Sequence, residues 1–215
     1  MNVDKTIRKI FSIKKGNVLS AYSTTRGNFT WITKSLIADG SRETLAQLFA
    51  ALGYTKGAEI GVEYGKYSEI LFKNIPGLEL LCIDPWEAYP KVSVKRAEAI
   101  YQSCKKRLSQ YNAKIMRMSS EEGAKLVPDG SLDFVYIDAS HGYIPVKEDN
   151  EWWVPKVRVG GIVSGHDYTN HGNDEKTLTR CGVVQAVDEY VEKMGIEIYY
   201  ATTDYPASWF WGKTE

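Results

Sequence analysis

Short apolar runs alternate with helix-like stretches along most of this 215-residue chain. Such alternation is typical of repeated strand–helix–strand units, in which parallel strands form one sheet between layers of helices. The predicted strands are Ala58–Val62, Leu78–Ile83, Lys114–Met118, Leu132–Ile137, Gly161–Ser164, Ile196–Ala201 and Ser208–Gly212. The predicted helices between them are Lys66–Phe72, Val94–Tyr111, Ser120–Leu126, Val146–Val154 and Val183–Met194. The pattern therefore predicts an α/β fold, a three-layer sandwich around a seven-stranded, mostly parallel sheet.

The last two predicted strands differ from the others in their connection. Only a short loop, Thr202–Ala207, separates them. A parallel crossover needs a dozen or more residues, whereas an antiparallel hairpin does not. We therefore expect an antiparallel hairpin at the C-terminal end of the sheet.

Composition and charge exclude several classes of protein. Hydrophobic residues make up 43% of the chain and charged residues 25%, which is close to the globular average and argues against disorder. The 27 basic and 27 acidic residues cancel, so the charge excess of a general nucleic-acid binder is missing. No apolar run approaches the ~20 residues that span a bilayer, and the three cysteines suit a reducing compartment. We expect a cytoplasmic protein without nucleic-acid or membrane partners.

Residues 1–40 differ in charge from the rest of the chain, with seven Lys or Arg against two Asp. We interpret them as a separate basic segment, a helical turn or two followed by a cover that acts as a lid or as an oligomerisation arm; a solvated basic tail is the alternative. Ser41 is suited to cap a helix that Gly53 ends. Residues 41–215 are therefore predicted to form one domain.

A glycine turn and a carboxylate follow the first two of these strands. In an open α/β sheet, ligands bind beyond the carboxyl ends of the strands. The first strand leads into Glu59-Ile-Gly61-Val-Glu63-Tyr-Gly65, and Asp84 follows nineteen residues after Gly65. An acidic side chain at that place can accept both hydroxyls of a ribose. The pair of features predicts a nucleoside cofactor.

The details of this turn narrow the choice of cofactor. A dinucleotide loop requires G-x-G-x-x-G, whereas this turn offers Glu-x-Gly-x-x-x-Gly with further acidity at Glu63. Carboxylates repel a pyrophosphate and suit a sulfonium and amino-acid ligand better. The turn therefore favours a cofactor with a sulfonium group. A nicotinamide-dependent oxidoreductase and a non-catalytic nucleoside-binding module remain the alternative interpretations.

A second group of polar residues follows the fourth and fifth predicted strands. Asp138 and His141 come after the fourth, and His166 and Asp167 after the fifth. Parallel neighbours would bring all four side chains to one rim. A divalent cation or an imidazole base at such a rim could polarise or deprotonate a hydroxyl oxygen bound there. Asp138 and Asp167 would neutralise the cation, and His141 would remove the proton.

In this order the motifs resemble the class I S-adenosylmethionine-dependent methyltransferases, which have a Rossmann-like fold. The resemblance implies that Gly61 and Gly65 border the methionine part, that Asp84 holds the ribose and that Ser119 and Ser120 lie beside the adenine. For Trp86, core packing is favoured over contact with the adenine. The predicted cofactor-binding residues are Glu59, Gly61, Glu63, Gly65, Asp84, Pro85, Trp86, Ser119, Ser120 and Asp138.

The second group is similar to the metal-dependent small-molecule O-methyltransferase branch that includes macrolide-sugar methyltransferases. There an Asp-x-x-His supplies a metal ligand and a base, and an acidic pair supplies the other ligands. Here that pair is His166-Asp167, so the predicted ligands are Asp138, Asp167 and His166, with Asn170 as a spare. Magnesium or manganese ranks first, the His166 departure shifts preference toward manganese, iron or zinc, and metal-free catalysis by His141 is the alternative.

The sequence thus predicts an S-adenosylmethionine-dependent O-methyltransferase whose catalytic residues are His141 and Asp138. The acceptor is predicted to be a hydroxyl of a small sugar, polyol or phenol. A homo-oligomer is a possible assembly, and the polar loop 168–180 could serve either as a lid over the acceptor or as a disordered connection.

Overall fold

The computed structural model describes residues 2–24, 27–168, 182–201 and 203–214. Its helices are α1 (Val3–Ile10), α2 (Arg42–Ala51), α3 (Lys66–Asn74), α4 (Val94–Leu108), α5 (Ser120–Leu126), α6 (Tyr143–Trp153) and α7 (Val183–Met194). Its strands are β1 (Ser12–Thr24), β2 (Gly27–Asp39), β3 (Lys56–Ile60), β4 (Glu79–Asp84), β5 (Ala113–Arg117), β6 (Leu132–Ile137), β7 (Val157–Gly165), β8 (Ile198–Ala201) and β9 (Ser208–Gly212). A single-turn 3₁₀ helix, Val154–Lys156, precedes β7.

The strands form one sheet in the order β1-β2-β8-β9-β7-β6-β3-β4-β5. Strands β3 to β7 pair in parallel with one another, whereas β9 runs antiparallel to both β7 and β8. All seven predicted strands are present; β6 and β9 have the predicted bounds, and the bounds of the other five differ by a few residues. The predicted Rossmann-like sandwich and its antiparallel C-terminal hairpin are therefore confirmed.

Two strands at one edge of the sheet are additional to the prediction. β1 and β2 pair antiparallel over thirteen residues each, and β2 pairs in parallel with β8, so the described residues form a nine-stranded sheet. The predicted helical turn or two before them is α1. Ile7 and Phe11 are buried, and the Phe11 ring lies 5.2 Å from that of Phe210. Residues 3–11 therefore pack against the domain and are not a solvated tail, and the lid or arm role stays a prediction.

Alternate residues of β6 explain why apolar cores form on both faces of the sheet. Phe134 and Tyr136 belong to the core beneath α2, α3 and α4, where Phe49 stacks on Phe134 at 4.2 Å. Val135 belongs to the opposite core with Trp153 and residues of α7. Each fully buried side chain of this size stabilises the fold by about 1.5–3 kcal/mol. The sheet is therefore fixed from both sides.

Hydrogen bonds beyond the strand ends fix the loops that carry the candidate site. The Asp138 N–H donates to the carbonyl of Ile60 at 2.7 Å. The His166 N–H donates to the carbonyl of Ile137 at 3.0 Å. These bonds continue the ladder of the central strands by one residue, so Asp138 and His166 begin their loops at defined positions.

The start of α2 lies at the same edge as these loops. The loop between β8 and β9 is tied to it, because the Thr203 N–H donates to the Gly40 carbonyl at 3.0 Å and the Arg42 N–H donates to Asp204 at 2.6 Å. Ser41 caps α2 as predicted. In the described parts of the chain, no helix has both the length and the apolar character needed to cross a bilayer.

Candidate functional site

Gly61 brings the glycine turn into backbone contact with the segment after β6. Its φ is +85°, and a Cβ there would lie 2.1 Å from the carbonyl oxygen of Asp138. Conformation and space thus both require glycine at this position. Gly65 also has a positive φ and directly precedes α3. The turn and Asp138 consequently share one rim of the sheet.

Asp84 organises this turn through its carboxylate. One oxygen accepts the N–H groups of Val62 at 3.0 Å and Glu63 at 2.9 Å, and the other accepts the N–H of Trp86 at 2.7 Å. A carboxylate offers about four acceptor positions, so three backbone amides leave room for about one more donor. Burial raises the pKa of Asp84 despite these bonds. The structure therefore assigns Asp84 a tethering role, and contact with a ribose stays a prediction, with room for about one of the two hydroxyls.

Two of the predicted cofactor residues are directed into the protein. Glu59 is 2% exposed and accepts a hydrogen bond from Ser68, and burial raises its pKa to about 8. Trp86 is also buried, and its Nε1 donates to the Glu63 carbonyl at 2.8 Å, in agreement with the core packing favoured from the sequence. Glu63 and Pro85 are exposed beside them.

Ser119 and Ser120 both make contacts at the start of α5. Ser119 caps the helix in a capping box with Glu122. The Ser120 hydroxyl donates to Asp149 and accepts from Trp153 Nε1 at 2.8 Å. Burial raises the pKa of Asp149 to about 6. These contacts give both serines roles within the fold; their predicted place beside an adenine stays a prediction.

The structure brings the predicted acidic and imidazole side chains together. His141 Nε2 lies 3.1 Å from Asp167 Oδ2 and 3.6 Å from Asp138 Oδ1. His166 Nδ1 lies 3.1 Å from the same Asp167 oxygen and 3.7 Å from the same Asp138 oxygen. Each carboxylate thus faces both imidazoles. His141 is about half exposed, whereas the His166 side chain is nearly buried.

The opposite charges in this cluster shift its pKa values. Burial disfavours ionisation of Asp138, but the contacts with His141 and His166 outweigh it and lower the Asp138 pKa. The contact with Asp138 raises the pKa of His141. For His166, burial opposes the charge, but Asp138 and Asp167 raise the pKa to about 9. The raised pKa values favour the protonated imidazoles, whose positive charge offsets the negative charge of the carboxylates.

Three residues of the cluster are close enough together to share one metal ion. Ligand atoms of Asp138, His141 and Asp167 all lie within 4.8 Å of one another. Asp167 has a φ of +59°, a backbone conformation that is uncommon outside glycine and often marks functional sites. The geometric group contains His141 in place of the predicted His166. Within the described residues, the buried Nε2 of His166 has no hydrogen-bond partner.

Arg42 is a site residue that the sequence analysis missed. Its Nη1 lies 3.8 Å from Asp138 Oδ2, its Nε lies 3.9 Å from Asp204, and its guanidinium lies over the Tyr67 ring at 5.6 Å from the centroid. Arg42 is in the first turn of α2, before any of the predicted motifs. No sequence signal places that helix against the end of β6, because the proximity depends on tertiary packing.

Several predicted features lie outside the described residues. They are Asn170, Cys181 and the loop from residue 169 to 180. The other two cysteines, Cys82 and Cys104, are buried free thiols.

Comparison with curated proteins finds a relative that matches about half of this chain. The curated "Uncharacterized protein y4gI" of Sinorhizobium fredii (strain NBRC 101917 / NGR234) is 26% identical over 113 residues, which are 52% of this chain. The match spans only 12% of that much longer relative.

Solved structures share the fold at low sequence identity. The O-methyltransferase TomG from Streptomyces achromogenes, involved in tomaymycin synthesis and in complex with SAM, is 19% identical with a TM-score of 0.60, covering 81% of this chain and 79% of its own. An O-methyltransferase from Bacillus cereus in complex with SAH is 15% identical with a TM-score of 0.58, covering 80% of each chain. Cofactor-bound Rv0187 from MTB is 14% identical with a TM-score of 0.59, covering 99% of this chain and 88% of its own.

A family model described as a methyltransferase domain matches residues 58–168. This match includes the glycine turn, Asp84 and the whole Asp–His cluster, which consists of Asp138, His141, His166 and Asp167. Since it covers just over half of the 215 residues, the chain belongs to the methyltransferase-domain family.

Proposed function

We propose that this protein transfers the methyl group of S-adenosylmethionine to a hydroxyl oxygen of a small molecule. The observation that carries the proposal is the cluster of Asp138, His141 and Asp167, whose ligand atoms lie within 4.8 Å of one another. It stands directly beside the glycine turn, because Gly61 and Asp138 are in backbone contact. Such an arrangement would hold an acceptor oxygen next to a cofactor bound at the turn.

The charge of the rim supports S-adenosylmethionine as the cofactor. Glu63 is exposed there, and the ionised form of Asp138 is favoured. Carboxylates attract the sulfonium and ammonium groups of this molecule and repel a pyrophosphate. When bound, the cofactor supplies an electrophilic methyl group. The printed descriptions of TomG and of the Bacillus cereus enzyme name SAM and SAH as their ligands.

His141 is the residue that would remove the proton of the acceptor hydroxyl. Its imidazole is about half exposed, so an acceptor can reach it. Asp167 at 3.1 Å orients the ring and stabilises the imidazolium that forms after proton transfer. Asp138 raises the pKa of His141, so a higher pH is needed to obtain the neutral imidazole that a base requires.

The same cluster has suitable donors for a divalent cation. Two carboxylates and one imidazole are a mixed oxygen and nitrogen set, which suits manganese better than magnesium. A bound cation would supply Lewis acidity that favours the deprotonated acceptor. Asp138 and Asp167 would hold it. If His141 binds the cation, it is not free to act as base, so the two roles are distinguishable by experiment.

The proposal is tested by supplying methyl-labelled S-adenosylmethionine with a panel of sugars, polyols and phenols, with manganese and with a chelator. We expect that the label is transferred to a hydroxylated acceptor and that Asp138→Ala abolishes this transfer. The matched control is Asp129→Ala, since Asp129 is exposed and pairs with Lys156, away from the proposed cluster. Unchanged manganese affinity in His141→Ala, with transfer lost, would identify His141 as the base; lowered affinity would identify it as a ligand. Transfer at the wild-type rate in Asp138→Ala would refute the proposal.

We further propose that the chain is a cytoplasmic homo-oligomer in which residues 1–40 act as a lid or as an arm between subunits. Support comes from the position of β1 and β2 at the sheet edge. Light scattering on the intact chain tests the assembly, and the mass of a single chain would contradict it.

A further inference from the structure

The N-terminal ends of α6 and α7 meet directly beside His141. The N–H of Gly182, the residue preceding α7, donates to the carbonyl oxygen of His141 at 2.7 Å. Tyr143 is the first residue of α6. A Cβ on Gly182 would lie 2.4 Å from the Tyr143 backbone nitrogen and 2.5 Å from its Cα. The backbones of the two segments are therefore as close as glycine allows.

Space, and not conformation, requires glycine at position 182. Its φ of −98° and ψ of 7° are accessible to other residues. Gly195, at the other end of α7, shows the opposite case: its φ is +65°, and a Cβ there would meet nothing within 4 Å. Gly182 thus has an ordinary backbone conformation but no room for a methyl group. This indicates that the close approach of the two segments is what requires glycine here.

The close approach bears on the position of the His141 ring. That ring is about half exposed, so side-chain packing alone does not fix it. Its backbone is held by the Gly182 bond on one side, and α6 is tied to α7 by the Tyr143 hydroxyl, which donates to Glu189 at 2.5 Å. The start of α7 thus acts as the support of the segment that carries His141.

We propose that Gly182 is a positioning residue that sets the His141 imidazole against Asp167. The inference rests on the proposed function in giving His141 a role in proton transfer, but the positioning itself is independent of the acceptor. Ordinary contact of a methyl carbon begins near 3.4 Å, so a methyl group 2.4 Å from the Tyr143 nitrogen requires a shift of about 1 Å. Such a shift would disrupt the 3.1 Å contact between His141 and Asp167. Misplacement by about 1 Å can cost a reaction ~100-fold.

The test is Gly182→Ala, compared with Gly57→Ala. Gly57 is a matched control because a Cβ there would lie 2.2 Å from the Phe134 ring, at the other end of β3 from the site. The chain has three histidines, so the ring signal of His141 can be assigned by NMR with His141→Gln. We expect the His141 signal to move in Gly182→Ala and to stay in place in Gly57→Ala, with affinity for S-adenosylhomocysteine unchanged in Gly182→Ala.

The outcomes separate this inference from the proposed function. A His141 signal that stays in place in Gly182→Ala, or that moves equally in Gly57→Ala, overturns the positioning role. A moved signal without methyl transfer by the wild type to any acceptor supports positioning and contradicts the proposed function. If Gly182→Ala does not fold, hydrogen exchange of the wild-type Gly182 amide decides: slow exchange supports the bond to His141, and exchange as fast as in a free peptide overturns it.

Discussion

Replacement of Asp84 by alanine removes the tether that joins the glycine turn to the end of β4. Three backbone amides, those of Val62, Glu63 and Trp86, lose their acceptor. Each unsatisfied amide costs about 1–3 kcal/mol, and the low end applies because removal of the Asp84 carboxylate also removes the cost of its burial. Three such losses lower the free energy of unfolding by roughly 3 kcal/mol. For a chain of this length, that corresponds to a fall in Tm of roughly 6–12 °C.

Urea and thermal unfolding of the cofactor-free protein measure this effect directly. Asp129→Ala is the control, since Asp129 is exposed and pairs with Lys156 on the surface, where ion pairs contribute about 0–1 kcal/mol. Calorimetry with S-adenosylhomocysteine should show weakened binding in Asp84→Ala as well. A variant that loses affinity but keeps wild-type stability would refute the tethering role and leave ribose binding as the only function of Asp84.

Three further predictions concern the Asp–His cluster. The pKa of His166 is raised from 6.5 to about 9, so its contribution to the free energy of unfolding, at most about 3 kcal/mol, is complete below pH 6.5 and is lost as the pH rises through 9. Urea unfolding of the wild type should show this loss. An equal loss in His166→Gln would contradict the prediction. Because the pKa of His141 is also raised above its ordinary value, the rate of methyl transfer should increase with pH until the imidazole is neutral and then level off, and a flat profile from pH 6 to 9 would count against His141 as base. Asp138→Ala and His141→Ala should each lower transfer at least ~100-fold. In His141→Ala, affinity for S-adenosylhomocysteine, measured by calorimetry, should stay within a few fold, and full activity in both variants would exclude the assigned site.

The central strands were predictable because their apolar residues are buried on both faces of the sheet. Strand β6, for example, has the predicted bounds Leu132–Ile137. β1 and β2 were not predicted, since Gly16 and Gly27 interrupt a segment without sustained periodicity. Their pairing with each other and with β8 depends on a neighbour far away in the chain.

Proximity at the site was predictable from topology, but the partners of individual side chains were not. Parallel neighbours β6 and β7 bring Asp138 and Asp167 to one rim, as expected from their order in the chain. The three amides on Asp84 and the placement of Arg42 beside Asp138 depend on loop conformation and helix packing. Neither leaves a periodic or compositional signal in the sequence.

The central claim is that one rim of this sheet binds S-adenosylmethionine beside a cation-binding Asp–His cluster. Calorimetric titration of the metal-stripped protein with S-adenosylmethionine, repeated after addition of manganese and with NAD as control, tests it most directly. We predict micromolar binding of S-adenosylmethionine, a separate heat for manganese that Asp138→Ala abolishes, and no heat with NAD. Binding of NAD without any binding of S-adenosylmethionine would contradict the account.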